Sequence, residues 1–256
     1  MTGERHLPSR KPPVAFLPEP VPVLLVGGAL LALLLLGTDL AVTQWVKAQM
    51  PGAVVQVFRG ITRAGESQWY LVPTGLGLLG LLAARRWATV VWQRLDGASR
   101  FWPLAYVFGC VALGGIAVNI IKLSAGRARP RLLLNEGIYG FFPFTAASGY
   151  TSFPSGHTQT AVALALSVGV LAPRLRPVLL LFAALIALSR VIVGAHYPSD
   201  VVGGAMLAAL VCWGLRWELN RRGIPVGTAW GPEPENTWRT EAPGERQSIA
   251  QKADEK

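Results

Sequence analysis

A chain of 256 residues that is 52% hydrophobic and only 15% charged falls below the charged fraction usual for a water-soluble domain. Its apolar residues come in blocks and do not alternate with polar ones, and the length fits one domain with no internal repeat. The net charge of +10 is not taken as nucleic-acid affinity, because the basic residues lie between the blocks, where membrane topology places them.

Residues 1–20 are proline-rich, carry Arg5, Arg10 and Lys11, and are expected to be a cytoplasmic segment. The first apolar block covers about 21–38 and its character extends toward Val46. It is long and no small-x-small cleavage site follows it, so it reads as an uncleaved anchor. The second block, about 68–84, contains Pro73, whose disturbed backbone neighbouring helices can satisfy. The third covers about 102–123, the fourth about 157–172, the fifth about 177–194 and the sixth about 201–217. Most approach the ~20 residues that cross a bilayer core, the second and fourth being short. The predicted fold is all-α, a polytopic membrane helix bundle with six transmembrane helices over 21–220. Cys110 and Cys212 lie inside apolar blocks and read as buried free thiols. Trp45, Trp69, Trp87, Trp102 and Trp217 sit near block ends, as an interfacial belt does. Residues 221–256 are polar and rich in Pro, Gly and Glu, the composition of a disordered cytoplasmic tail.

Basic residues orient the bundle. The N-terminal segment, the run with Arg85, Arg86, Arg94 and Arg100, the run with Arg174 and Arg176, and the segment with Arg216, Arg221 and Arg222 share one side, the cytoplasm. Segments 47–67, 124–156 and 195–200 then face outward. Lys47, Arg59 and Arg63 weaken that contrast, and an arginine cluster in 124–156 breaks it. Such a cluster asks for a reason other than topology.

Three constellations fall on that outer side. In "KLSAGRARPR", residues 122–131, Lys122 closes the third block. Pro130 biases Arg129 toward extended backbone, where Arg127, Arg129 and Arg131 would project to one face. Three guanidiniums together want an anion, and their forks fit phosphate oxygens, although a patch meeting lipid headgroups explains them as well. In "TSFPSGHTQT", residues 151–160, Ser155 is a good N-cap, with Gly156 and His157 in the first turn. The unpaired N–H groups and the dipole of a helix start attract anions, and glycine admits a close approach. In "SRVIVGAHYPSD", residues 189–200, Arg190 lies within an apolar block, where an ionisable residue is functional by default. Pro198 suits the first helical position, Tyr197 becomes the cap, and the Asp200 carboxylate at the third position can reach back toward His196. It would then accept a hydrogen bond from one imidazole nitrogen and leave the other free as a base or nucleophile.

Lys122–x6–Arg129–Pro130, then Pro154–Ser155–Gly156–His157, then Ser189–Arg190–x5–His196–x3–Asp200 resemble the three-part signature of the type-2 phosphatidic-acid phosphatase superfamily. The three parts are complete and in order, and the resemblance covers roughly residues 20–220. It implies an active site at the extracytoplasmic membrane surface and a metal-independent phosphatase without cofactor. His196 would take the phosphoryl group, Asp200 would orient it, and His157 would protonate the leaving oxygen. Lys122, Arg129, Ser155, Gly156 and Arg190 would hold the phosphate oxygens. Lysine and arginine can supply the positive charge that phosphoryl transfer needs, and a bound dianion would favour protonated His157. Arg127 and Arg131 lie outside the signature, and one of them is expected to contact a second phosphate or a polar headgroup.

The implied partners are a phosphorylated lipid and the bilayer, with no nucleic acid and no obligatory protein partner. Undecaprenyl diphosphate, phosphatidic acid, phosphatidylglycerol phosphate and lipid A all remain open. Residues 138–153 are aromatic for a water-facing loop and read either as a lip admitting lipid chains or as an anchor. Arginine outnumbers lysine in an Ala-, Leu- and Gly-rich chain, which points to a GC-rich bacterial source. The expected location is therefore a bacterial plasma (inner) membrane, with a periplasmic site and both termini cytoplasmic. A lipid phosphotransferase with the same pocket and a non-catalytic phosphate-lipid binding protein are the alternative readings. A vanadate-dependent haloperoxidase shares the resemblance, but those enzymes are typically soluble.

Overall fold

The structure, a computed structural model, describes residues 20–94, 97–145, 147–224 and 226. Among them are ten α-helices and no strand. They are α1 (Pro20–Leu33), α2 (Asp39–Gln49), α3 (Gly52–Arg63), α4 (Gln68–Trp87), α5 (Thr89–Arg94), α6 (Gly97–Ala125), α7 (Pro130–Glu136), α8 (Gly156–Leu171), α9 (Arg176–Ile192) and α10 (Pro198–Arg221). A π-helical turn at Leu34–Thr38 joins α1 to α2, so the first apolar block becomes one rod from Pro20 to Gln49. Every apolar block is helical. Four rods are long and apolar enough to cross a membrane: Pro20–Gln49, Ser99–Ala125, Pro173–Ile192 and Pro198–Arg221. The expected end segments, 1–20 and 221–256, lie almost wholly outside the described residues. Helices α3 and α7 occupy segments that carry no apolar block.

The shortest apolar helix is the central one. Helix α8 packs against α6, α9 and α10. Past its polar first turn it is apolar on nearly every face, as an enclosed helix is. Ala161, Ala163 and Ala165 are fully buried and let neighbouring backbones come close. On one side Tyr106, Cys110, Val111, Leu166, Ala208 and Cys212 form a core between α6, α8 and α10. Both thiols are free and buried there, as the sequence implies. On the other, Ala161 and Ala165 meet Ala183 and Ile186 of α9. Facing outward, Leu25, Leu36, Leu79, Ile120 and Leu181 are exposed, the kind of apolar surface that lipid covers.

Gly126 ends α6 in the left-handed region, at φ +59°, and a Cβ there would stand 1.7 Å from the Phe142 carbonyl oxygen. Only glycine fits such a turn. Beyond it, residues 127–129 run extended beside the 139–152 loop. Ala128 N–H donates to Gly140 O (3.0 Å), Arg129 N–H to Gly149 O (2.8 Å) and Ser152 N–H to Arg127 O (3.0 Å). Pro130 then opens α7 with Arg129 extended at φ −77° and ψ 157°, as expected of a residue before proline.

Candidate active site

At one end of the bundle α6 finishes, α8 starts, α9 finishes and α10 starts. The three constellations meet there. Ser155 caps α8: its hydroxyl accepts from Thr158 Oγ1 (3.0 Å) and, at 3.5 Å, from the Thr158 N–H. Its own N–H donates to the Asp200 carbonyl (2.9 Å), so the second and third constellations are joined main chain to main chain. This contact requires Gly204 on α10, because a Cβ there would lie 2.4 Å from the Ser155 carbonyl oxygen. The Lys122 ammonium reaches from α6 to the same turn, with Nζ 3.8 Å from where a Cβ on Gly156 would stand.

Tyr197 is the cap of α10 and Pro198 its first residue, and the Asp200 carboxylate reaches back to accept the Tyr197 N–H (2.9 Å). His196 Nδ1 lies 3.4 Å from Asp200 Oδ2. Its N–H is not aligned on that oxygen, so the two are a close electrostatic pair with no formed hydrogen bond. The arrangement turns Nδ1 toward the carboxylate and leaves Nε2 for chemistry. Burial lowers the His196 pKa to about 4, with Arg190 and Arg129 adding to the effect and Asp200 opposing it. The ring is therefore a neutral base at pH 7.

His157 lies in the electrostatic field of Arg190, His196, Lys122 and Arg129. Both imidazoles thus lie within the field of Arg190 and Arg129. Arg190, at the end of α9, is held by a hydrogen bond from Nη1 to Thr62 Oγ1 of α3 (2.6 Å). Arg129 is half-buried and donates from Nη2 to Thr151 Oγ1 (3.2 Å) and Thr151 O (3.3 Å). Its charged form is disfavoured first by burial and then by neighbouring Arg131. Nε of Arg129 and Nε of Arg190 are buried donors without a hydrogen-bond partner among the described residues. Oxyanion oxygens are the acceptors such donors fit. Among the described residues no three of His, Cys, Asp and Glu gather as a metal site would.

The arginine cluster differs from expectation. Arg127, Arg129 and Arg131 do not project to one face, because the extended run stops at Pro130 and Arg131 rides on α7. Arg131 is exposed and bonds Ser148 Oγ (3.2 Å). Arg127 is fully buried and cannot meet a second phosphate or a headgroup. It spans two carboxylates, with Nη1 2.5 Å from Asp200 Oδ1 and Nη2 2.6 Å from Asp39 Oδ2. The Tyr197 ring covers its guanidinium at 4.5 Å and the Phe141 ring at 5.1 Å. Burial opposes its charge, but Asp200 and Asp39 outweigh burial and raise its pKa.

Asp39 is the residue the sequence reading missed. It is buried at the start of α2, takes the Ser199 N–H (3.0 Å), and is in close contact with the Ser199 hydroxyl. Ser199 in turn accepts from Arg127 Nη1 (2.6 Å), and Ser152 donates to Asp200 Oδ2 (2.5 Å). The signal was present, since a lone carboxylate in an apolar run carries the functional presumption given to Arg190. The aromatic loop divides: Phe141, Phe142 and Phe144 are exposed, while Phe153 packs on Gly203.

The PAP2 superfamily model matches residues 103–223. The chain is 31% identical over 198 residues to a lipid A 1-phosphatase of Rhizobium etli, covering 73% of this chain and 85% of that one. It is 32% identical over 162 residues to a lipid A 1-phosphatase of Rhizobium johnstonii, covering 63% and 66%. The crystal structure of a transmembrane PAP2 type phosphatidylglycerolphosphate phosphatase from Bacillus subtilis superposes with a TM-score of 0.51 at 24% identity, over 79% of this chain and 96% of that one. Signature, fold and relatives agree: this membrane protein belongs to the PAP2 superfamily.

Proposed function

We propose that the chain is a six-span lipid phosphatase of a bacterial inner membrane that removes the 1-phosphate of lipid A through a phosphohistidine, without a metal ion. The observation that carries the chemistry is the pair of histidines under shared cations, one of them backed by a buried carboxylate. The lipid A relatives support the substrate. The site lies at the periplasmic surface of that membrane, with both termini cytoplasmic.

Lys122, Arg129, Arg190 and the opening turn of α8 at Ser155 and Gly156 hold the phosphate oxygens. Such preorganised cations act on charge that spreads over those oxygens in the transition state. His196 Nε2 attacks phosphorus, an N–P bond forms, and the bond to the lipid oxygen breaks. His157 gives that oxygen its proton. In the second step water attacks phosphorus, neutral His157 takes the water proton, the N–P bond breaks and inorganic phosphate leaves. Asp200 stabilises His196 as positive charge develops on the ring, the task of the buried carboxylate in a catalytic triad.

Purified protein in detergent, with EDTA and no added acceptor, is expected to release phosphate from lipid A, and His196→Ala to release none while remaining folded. With a labelled 1-phosphate, wild type should yield an acid-labile phosphoprotein. Phosphate release that persists in His196→Ala would discard the assigned nucleophile, and transfer only to a second lipid would make the protein a phosphotransferase.

A further inference from the structure

A cavity of about 420 Å³ is lined in part by His196 and by none of Lys122, Arg129, Arg190, Ser155, Gly156 and His157. Lys47 of α2, Arg59 of α3 and Arg131 of α7 line it, together with Gln56 and Asn135. All five side chains are exposed. Val46, Met50, Val55 and Leu134 line it as well, with the end of α9 and the turn after it, residues 191–194, that lead to His196. No Asp or Glu lines the cavity. Lys47 and Arg59 make no ion pair among the described residues, and Arg131 bonds only the Ser148 hydroxyl. Three like charges drawn from three helices around one recess repel one another unless an anion joins them. They include Lys47 and Arg59, whose outward position charge-based topology leaves unexplained, and membrane orientation gives no reason for them to gather. The volume falls in the range of small-molecule sites, and mixed cationic and apolar walls suit a polar group attached to a lipid.

We propose that this cavity is a second anion site, which takes a further phosphate of the substrate while the scissile phosphate sits among Lys122, Arg129 and Arg190. It rests on the lipid-phosphatase reading and narrows it to lipids that carry two phosphate groups. The cavity shares His196 with the candidate site while its cations are different ones, which is what binding two phosphates of one lipid needs. Arg131 is thereby assigned to the second group and Arg127, locked between carboxylates, is not.

The test compares bis-phosphorylated lipid A with the same lipid bearing only the 1-phosphate, both in neutral detergent micelles that present no charged surface. Wild type is expected to favour the bis-phosphorylated lipid in kcat/KM. Lys47→Gln/Arg59→Gln/Arg131→Gln should cut that preference about tenfold, the scale of one or two charge-assisted contacts. Each single variant, at an exposed position, should shift the ratio in the same direction by less, which keeps the test valid if the triple variant misfolds. An unchanged ratio in every variant, or no wild-type preference, overturns the proposal. If wild type releases phosphate from neither lipid, the hydrolase reading has failed. The affinities of wild-type and substituted protein for the two lipids then decide the second site by the same ratio.

Discussion

Asp39 of α2 and Asp200 of α10 grip the same guanidinium, that of Arg127, from opposite ends, at 2.6 and 2.5 Å, although they lie far apart in sequence. A row of carboxylate, guanidinium, carboxylate and imidazole results, running from α2 to His196. Asp200 meets Arg127 on one oxygen and His196, Ser152 and the Tyr197 N–H on the other. Its orientation leaves little freedom.

If His196 is the nucleophile proposed above, Asp39 is a positioning residue that acts through Arg127 and Asp200. Asp39→Asn is expected to lower kcat about tenfold or more with KM nearly unchanged, because the loss acts through Arg127 and Asp200. Asp39→Glu should recover part of the rate. A matched rise in KM with constant kcat would show that Asp39 serves binding instead.

Removing Arg127 leaves two buried carboxylates facing each other. Arg127→Leu should destabilise the protein by about 3–5 kcal/mol, the cost of breaking a buried pair from one side. Thermal unfolding in detergent measures it. A change within about 0.5 kcal/mol, as at a plain surface site, would contradict the burial of this network.

The pH dependence follows from His196. Its folded pKa of about 4 lies below the ordinary imidazole value near 6.5. His196 stays neutral as pH falls through 6.5 and is protonated only near 4, so as the proposed nucleophile it should set an acid limb in kcat/KM near 4. Stability moves the same way. The unfolded chain takes up this proton below about 6.5 and the folded one only near 4, so stability declines as pH falls across that window. A limb at 6.5 assigned to His196 by its loss in a His196 variant would refute this.

Gly204→Ala tests the seam between α8 and α10. Its Cβ would press on the Ser155 carbonyl, which is backbone and cannot rotate away. A loss of about 1–3 kcal/mol is expected, with activity falling as well, since the push separates Ser155 from Asp200. Gly214, whose Cβ would meet nothing within 4 Å, is the control.

Thr62→Val removes the hydrogen bond that fixes Arg190 and leaves the side-chain volume alike. KM should rise several-fold, up to about tenfold, if Arg190 holds phosphate as proposed, because its guanidinium loses its tether. Steady-state kinetics on the 1-phosphate lipid measures it.

Much of this was legible in the chain. Helix blocks follow from apolar runs, and the Ser155 cap, the extended Arg129 and the reach of Asp200 back over Tyr197 follow from local rules that act within four residues. Three things were not. The burial of Arg127 depends on Asp39, far away in sequence, and alternation along a strand-like run says nothing of such a partner. Arg131 left that run because a proline that ends extended backbone can also begin a helix. Helix α3 carries Thr62 and Arg59 in a segment too polar to register as a block, so its tether to Arg190 and its wall of the cavity emerge only in three dimensions.

The bond from the Ser155 amide to the Asp200 carbonyl has one more consequence. The turn before α8 and the start of α10, which flank His157 and His196, are stitched by peptide groups, which every amino acid carries. Mutation can redraw the surrounding surfaces while the spacing between His157 and His196 persists. One catalytic engine can thereby be refitted for new headgroups without being rebuilt.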